Sequence, residues 1–114
     1  MFGWRMRIGY ISPGSLGNTV YDFYRVAPDG VGLLGLSAPI SDWRADEYDK
    51  NLAQIEEAAA YLAKRHVGMV IHAGAPPVAS RGAAFMHELI ARMRRRTGLP
   101  ASTAMFSAME AFRW

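Results

Sequence analysis

The sequence contains no cysteine. That absence removes disulfides, thiolate metal sites and thiol nucleophiles from the chemistry open to these residues. Histidine is scarce too. His66, His72 and His87 share no ligand spacing with carboxylates, so no metal is expected. No apolar run reaches the length of a membrane span, so no membrane partner is expected. The first residues, Met1 to Arg7, lead straight into a strand pattern and do not read as a signal peptide, which makes the cytoplasm the expected location. The chain also lacks an internal repeat, a low-complexity tract, a linker, a nucleophile elbow and an evident paired-carboxylate site.

What is present is a chain of 114 residues, 51% apolar and 20% charged. That is enough for one domain with a real core and not for two. The net charge is +3 and the pI about 9.6, which raises nucleic acid as a partner. The main basic cluster, however, is Arg92, Arg94, Arg95 and Arg96 in the last turns of one predicted helix. Cations there complement the helix dipole and need no ligand, so no nucleic-acid partner is expected.

The organising stretch is the apolar run Val67 to Ala73, followed by Gly74-Ala75-Pro76-Pro77 and by a helical pattern from Gly82. An apolar run of this length reads as a strand buried on both faces. A glycine and two prolines then end it. Strand, small-residue loop and helix make one βα unit of a parallel sheet, in which ligands bind outside the carboxyl ends of the strands.

The other elements fit the same plan. Met6 to Ser12 is a first strand entering Pro13-Gly14-Ser15, and Asn18-Thr19 cap a short helix from Val20 to about Val26. Ala27-Pro28-Asp29-Gly30 is a turn, and Val31 to Ala38 is a second strand ended by Pro39. Tyr48, Leu52, Ile55, Ala59 and Leu62 form one apolar stripe of a long helix that ends near His66. Gly82 to Thr97 is a helix with Phe85, Met86, Leu89, Ile90 and Met93 inward, stopped by Gly98 and Pro100. Ala101 to Met105 is a fourth strand. A last helix starts at Ser107, with Phe106, Met109 and Phe112 apolar. The alternation predicts an α/β fold, a parallel four-stranded sheet of order 2-1-3-4 flanked by helices in the flavodoxin-like manner.

Gly30-Val31-Gly32-Leu33-Leu34-Gly35 matches the dinucleotide pattern G-x-G-x-x-G by letter. The pattern binds pyrophosphate only between a strand and a helix N-terminus, whereas here it runs from a turn into a strand. No nucleotide cofactor is expected. The loop of residues 12–19 offers small residues, hydroxyls, an amide and a helix start, which suits a carboxylate or phosphate. The bland alternative is Asn18 as a helix cap in an ordinary turn. His72, at the end of the third strand, reads either as an acid/base or as a core histidine with a hydrogen-bonded ring. His66 and His87 read as surface residues. Tyr48 either points its hydroxyl over the carboxyl edge or packs in the core.

The order of these motifs is similar to a known family. Residues 7–13, Asn18-Thr19, residues 27–31, Glu47-Tyr48-Asp49, residues 81–85, residues 97–101 and Ala108-Met109-Glu110-Ala111 together carry the likeness. The chain resembles the N-terminal half of the aspartate/glutamate/hydantoin racemase superfamily, in particular its maleate cis-trans isomerase and arylmalonate decarboxylase branch. The resemblance implies two α/β halves facing each other across a small mono- or dicarboxylate. It implies cysteine acid/base chemistry next to a carboxylate, or cysteine attack on a double bond, without a metal or organic cofactor. By position it implies carboxylate binding by Ser12, Pro13, Ser15 and Asn18, a substrate-side role for Tyr48, and a substrate turn at Gly74 and Ala75. Gly74 stands where racemases and isomerases carry their first cysteine, as in the decarboxylase branch. Ala75 and Pro76 replace that branch's Thr/Ser donors, and Pro76 lacks even an N–H.

The expectation is therefore a truncated or half-length member of the superfamily, silent by itself, completed by a missing C-terminal half or by a homodimer. Tyr48 and His72 are its acid/base candidates. The alternative is a non-catalytic module that binds a small carboxylate or associates with itself through exposed apolar surface. An unrelated flavodoxin-like regulatory domain would need an acidic cluster at the strand ends, and the chain has none there.

Overall fold

The computed structural model describes residues 2–13, 16–38, 48–73 and 82–113, with Asn18, Tyr48 and Asp49 described by backbone alone. The elements run β1 (Met6–Ser12), α1 (Gly17–Val26), β2 (Val31–Ser37), α2 (Tyr48–Ala63), β3 (Met69–His72), α3 (Ala83–Thr97), β4 (Ala101–Thr103) and α4 (Ala104–Phe112). The four strands form a parallel sheet of order β2-β1-β3-β4, the order read from the sequence.

One face of this sheet is closed. Ile11, Val70 and Ala101 meet Leu52, Ile55 and Leu62 of α2 and Phe85, Leu89 and Met93 of α3 in a single apolar cluster. The stripe read from the sequence is the stripe that is buried, because residues three and four apart share one side of a helix. Gly9 lets α2 come close: a Cβ there would lie 3.3 Å from Leu62 and 3.2 Å from Val70. The pair Arg92–Glu56, at 2.8 Å, ties α3 to α2 at the edge of this layer.

The other face is covered less tightly among the described residues, although Leu33 and Ser102 on it are buried. Met6, Ile8 and Tyr10 of β1 and Met69 and Ile71 of β3 are only half-buried. No described residue of α1 or α4, the helices on that side, is buried.

The glycines of the G-x-G-x-x-G pattern turn out to be packing positions. Gly30 sits in the turn at φ +87°, and a Cβ there would lie 2.5 Å from the Trp4 ring. At Gly32 and Gly35 the same space is taken by Phe2 and Leu16.

Several boundaries differ from the sequence reading. α1 begins at Gly17, so Asn18 lies in its first turn and is not its cap. Leu16 holds the N-cap position with no side-chain cap bond, and its side chain packs over Gly35. α2 stops at Ala63 because the chain tightens into i→i−3 bonds and His66 turns to φ +63°. β3 has four residues, although Val67 and Ala73 at its flanks are buried. β4 stops at Thr103, whose hydroxyl accepts from the Phe106 N–H at 3.0 Å and starts α4 earlier than expected. Of the apolar residues of that last helix, Phe106 packs against the core while Met109 and Phe112 are exposed. Gly98 ends α3 at φ +71°, donating its N–H to Arg94 O, as its position suggested.

Candidate functional site

Parallel strands with antiparallel crossover helices bring strand C-termini and helix N-termini to one edge. β1 delivers Ser12 and Pro13 there. Ser12 is 7% exposed, and its carbonyl accepts from the Ala38 N–H at 2.8 Å, which fixes the end of β1 against β2. Pro13 follows, half-buried. The backbone of Asn18 lies one position inside α1, and that of Tyr48 opens α2 at the same edge. Ser15, Gly74 and Ala75, together with Pro76, lie outside the described residues.

The electrostatics of this edge favour an anion. α1 and α3 begin without a side-chain cap bond and with no acid in the first turn. Both helix dipoles therefore present their positive ends with no acidic side chain of the first turn against them. Such an end holds a carboxylate without needing a cation.

His72 ends β3, opposite Ile11 on one side and Thr103 on the other. It is 0% exposed, and among the described residues neither Nδ1 nor Nε2 has a hydrogen-bond partner. The core placement read from the sequence is right, but the hydrogen-bonded ring is not found. Burial lowers its pKa from 6.5 to about 4, so the ring is neutral near pH 7. His66 and His87 are exposed, with His87 edge-on to Phe106 at 6.2 Å. Among the described residues no cluster of three or more His, Cys, Asp or Glu is placed to hold a metal. No helix among them is long and apolar enough to cross a membrane.

Two polar residues at this edge escaped the sequence reading. Thr103 is 0% exposed at the end of β4. Its signal was a threonine just before an apolar helical run, the usual cap signature. Asn51 is 4% exposed in the first turn of α2. Nothing in its spacing marks it, because it falls between two stripe positions.

A cleft of about 590 Å³ opens elsewhere, between α4 and the first residues of β3 and β4, with Met69, Ala101, Phe106 and Ala111 in its walls. It lies toward the amino ends of the strands and takes no part in the edge just described.

Comparison with known proteins matches this architecture. The family model of arylmalonate decarboxylase matches residues 8–114. No curated protein gives a match. Unliganded arylmalonate decarboxylase superposes with a TM-score of 0.82 at 28% identity, over 95% of this chain and 46% of that one. A glycine-to-cysteine mutant of arylmalonate decarboxylase in its sulfate-associated form gives 0.82 at 27%, over 94% and 46%. A maleate isomerase variant from Pseudomonas putida S16 with maleate gives 0.74 at 17%, over 95% and 48%, a likeness of fold alone. The chain thus spans about half the length of the solved structures it matches. With a family model aligned from β1 to the last residue, on the sheet order that its sequence predicts, the chain belongs to the arylmalonate decarboxylase family.

Proposed function

We propose that this chain builds one half of a cofactor-free site for a small mono- or dicarboxylate, and that it binds without turning over. The observation that carries this reading is a family match over residues 8–114 in a chain with no cysteine. The end of β1 with Ser12, Pro13 and Ser15, and the start of α1 with Asn18, hold one carboxylate through amides and short polar side chains. Tyr48 bounds the ligand from the start of α2, and Gly74 and Ala75 give the backbone close approach from the loop after β3.

In a completed site the reaction is decarboxylation or isomerisation. For decarboxylation the C–C bond breaks, CO2 leaves with no electrons from that bond, and the pair remains on the carbon beside the second carboxylate. A proton must then be delivered to that carbon. This chain offers no thiol to deliver it. Ala75 and Pro76 offer no side-chain donor to the carboxylate either. His72 is neutral near pH 7 and shut away from solvent, so it does not serve as the acid. The proton donor comes from outside these residues, from a second half of the fold. Of the two acid/base candidates, Tyr48 is the one that this reading retains.

Binding is measured by thermal unfolding with phenylmalonate and maleate at millimolar concentration. At about ten times Kd a ligand adds about 1.4 kcal/mol, which raises Tm by several degrees in a domain of this size. Asn18→Ala removes the shift. A parent protein whose Tm does not move with either acid contradicts the reading. The second reading, a non-catalytic module that associates with itself, is favoured by one observation, the exposed apolar side chains of α1 and α4, among them Tyr21, Val26 and Phe112.

A further inference from the structure

The amino ends of the strands, opposite the candidate site, gather cations from the N-terminal arm, β1 and the ends of α2 and α3. Cations at the end of a helix complement its dipole and need no ligand. Arg5 and Arg7, however, lie in the arm and in β1, so no dipole accounts for them. The fold sets them beside the end of α2: Arg7 Nη1 reaches the Arg65 carbonyl at 3.5 Å, and Lys64 and Arg65 are exposed there. Arg94 and Arg95, exposed at the end of α3, extend the same edge. Among the described residues none of these six cations has an ion-pair partner. The acids nearby are Asp29, in the turn beside Trp4, and Glu57 and Glu110, already engaged by Arg96 and Arg113 at 3.0 and 3.6 Å. Like charges gathered in this way make a field that draws anions. Aromatic rings are interleaved with them. Phe2, Trp4 and Tyr61 are 51%, 62% and 50% exposed. The guanidinium of Arg7 lies 5.7 Å from the Phe2 ring, that of Arg5 5.2 Å from the Trp4 ring and that of Arg65 4.4 Å from the Tyr61 ring.

We propose that this edge binds single-stranded nucleic acid, with the guanidinium groups on phosphates and Phe2, Trp4 and Tyr61 against bases. Cations that track the backbone and exposed rings that stack on bases are the two elements by which a single strand is held without regard to its sequence. Of the six cations, all but Lys64 are arginines. Their planar forks pair bidentately with phosphate oxygens and stack on rings, which an ammonium does not. A duplex keeps its bases stacked on one another, whereas a single strand can splay them onto aromatic side chains. An anionic membrane is the other polyanion that meets aromatic rings beside cations. It calls for rings that project into lipid, and two of these rest on backbone instead. A Cβ at Gly32 would lie 2.7 Å from the Phe2 ring, and one at Gly30 2.5 Å from the Trp4 ring. The edge lies at the opposite ends of the strands from the carboxylate site, so the two proposals stand or fall apart.

The test is fluorescence anisotropy of labelled oligouridylate and oligothymidylate with the 114-residue chain, and binding of either strand supports the proposal. Contact with about four phosphates gives a slope of about −2.8 in log K against log salt, so going from about 50 to about 200 mM salt should weaken binding about fiftyfold. Duplex DNA of the same length should bind at least about tenfold more weakly, because its bases are not free to stack. Arg5→Gln and Arg65→Gln, both at exposed positions, should each lower the slope by about 0.7. Trp4→Ala and Tyr61→Ala should each weaken binding about tenfold and leave the slope as it was. Trp4 packs on Gly30, so Tyr61→Ala, at an exposed helix position, decides the matter if circular dichroism shows Trp4→Ala unfolded. A strand carrying 4-thiouridine should cross-link to Phe2, Trp4 or Tyr61. No binding at low salt overturns the proposal. So does a duplex bound as tightly as the single strand, a slope that neither arginine variant changes, or a folded Tyr61→Ala that binds like the parent. Phosphatidylserine vesicles that take up the chain while both oligonucleotides fail to bind would assign the edge to a membrane and overturn it as well.

Discussion

Replacing His72 with leucine tests how the end of β3 is held in an apolar core. The ring is 0% exposed, with no partner for either nitrogen among the described residues, and burial lowers its pKa from 6.5 to about 4. The folded state thus resists the proton that the unfolded chain takes up freely. Between the two values the unfolded state binds more protons, so stability falls as pH falls through 6.5 and toward 4. Each pKa unit is worth about 1.4 kcal/mol, which makes the whole loss about 3 kcal/mol. Above pH 6.5 neither state is charged at this residue and the effect is absent.

His72→Leu removes the proton site and the two ring nitrogens that lack a partner among the described residues, while keeping most of the volume. Exchanging an unsatisfied buried polar group for an apolar one is expected to be neutral or stabilising by about 1 kcal/mol near pH 7. It should also remove the slope at lower pH. The assay is urea unfolding of both proteins from about pH 7 down to about pH 4, reading ΔG and m. Two results refute the reasoning: a variant that keeps the full acid slope, or one that loses more than about 2 kcal/mol at neutral pH with m unchanged.

Three further predictions follow from the fold. Thr103→Ala removes the cap of α4 and leaves a small hole, and chemical denaturation should show a loss of about 1–2 kcal/mol. Thr103→Ser should recover most of it. Gly30→Ala places a Cβ 2.5 Å from the Trp4 ring at φ +87°, so it should cost about 1–3 kcal/mol and change the tryptophan fluorescence. Glu56→Gln breaks the 2.8 Å pair with Arg92, each side chain 24% exposed, and should cost about 1 kcal/mol at low salt. Glu57→Gln breaks the more exposed pair with Arg96, and its effect should fall within the error of a denaturation curve.

The closed face of the sheet was legible because its signal is periodic. Leu52, Ile55, Ala59 and Leu62, and then Phe85, Leu89 and Met93, lie where the 3.6-residue repeat put them, and the sheet order follows from handed crossovers. The failures cluster where one side chain decides locally. Thr103 ended β4 by capping α4, and Leu16 started α1 by packing on Gly35, a contact invisible along the chain. The last helix divides its apolar residues, Phe106 against the core and Met109 and Phe112 toward solvent, a division that its short sequence does not carry. At the site, Ser12, Pro13, Asn18 and Tyr48 were placed at the carboxyl edge by topology alone. No pattern in a single sequence marks Asn51 or leaves His72 without a partner among the described residues, since both depend on what packs across from them.

The measurement that bears most directly on the central claim is turnover by the purified 114-residue chain. The chain is incubated with phenylmalonate or maleate in deuterated buffer and followed by proton NMR, which reports decarboxylation, isomerisation and exchange at the carbon beside the carboxylate together. The account predicts binding with none of the three above the uncatalysed background, because no thiol is present to move the proton. Any of them above background, removed by Tyr48→Phe, would show that the chain is an enzyme by itself and would contradict the claim.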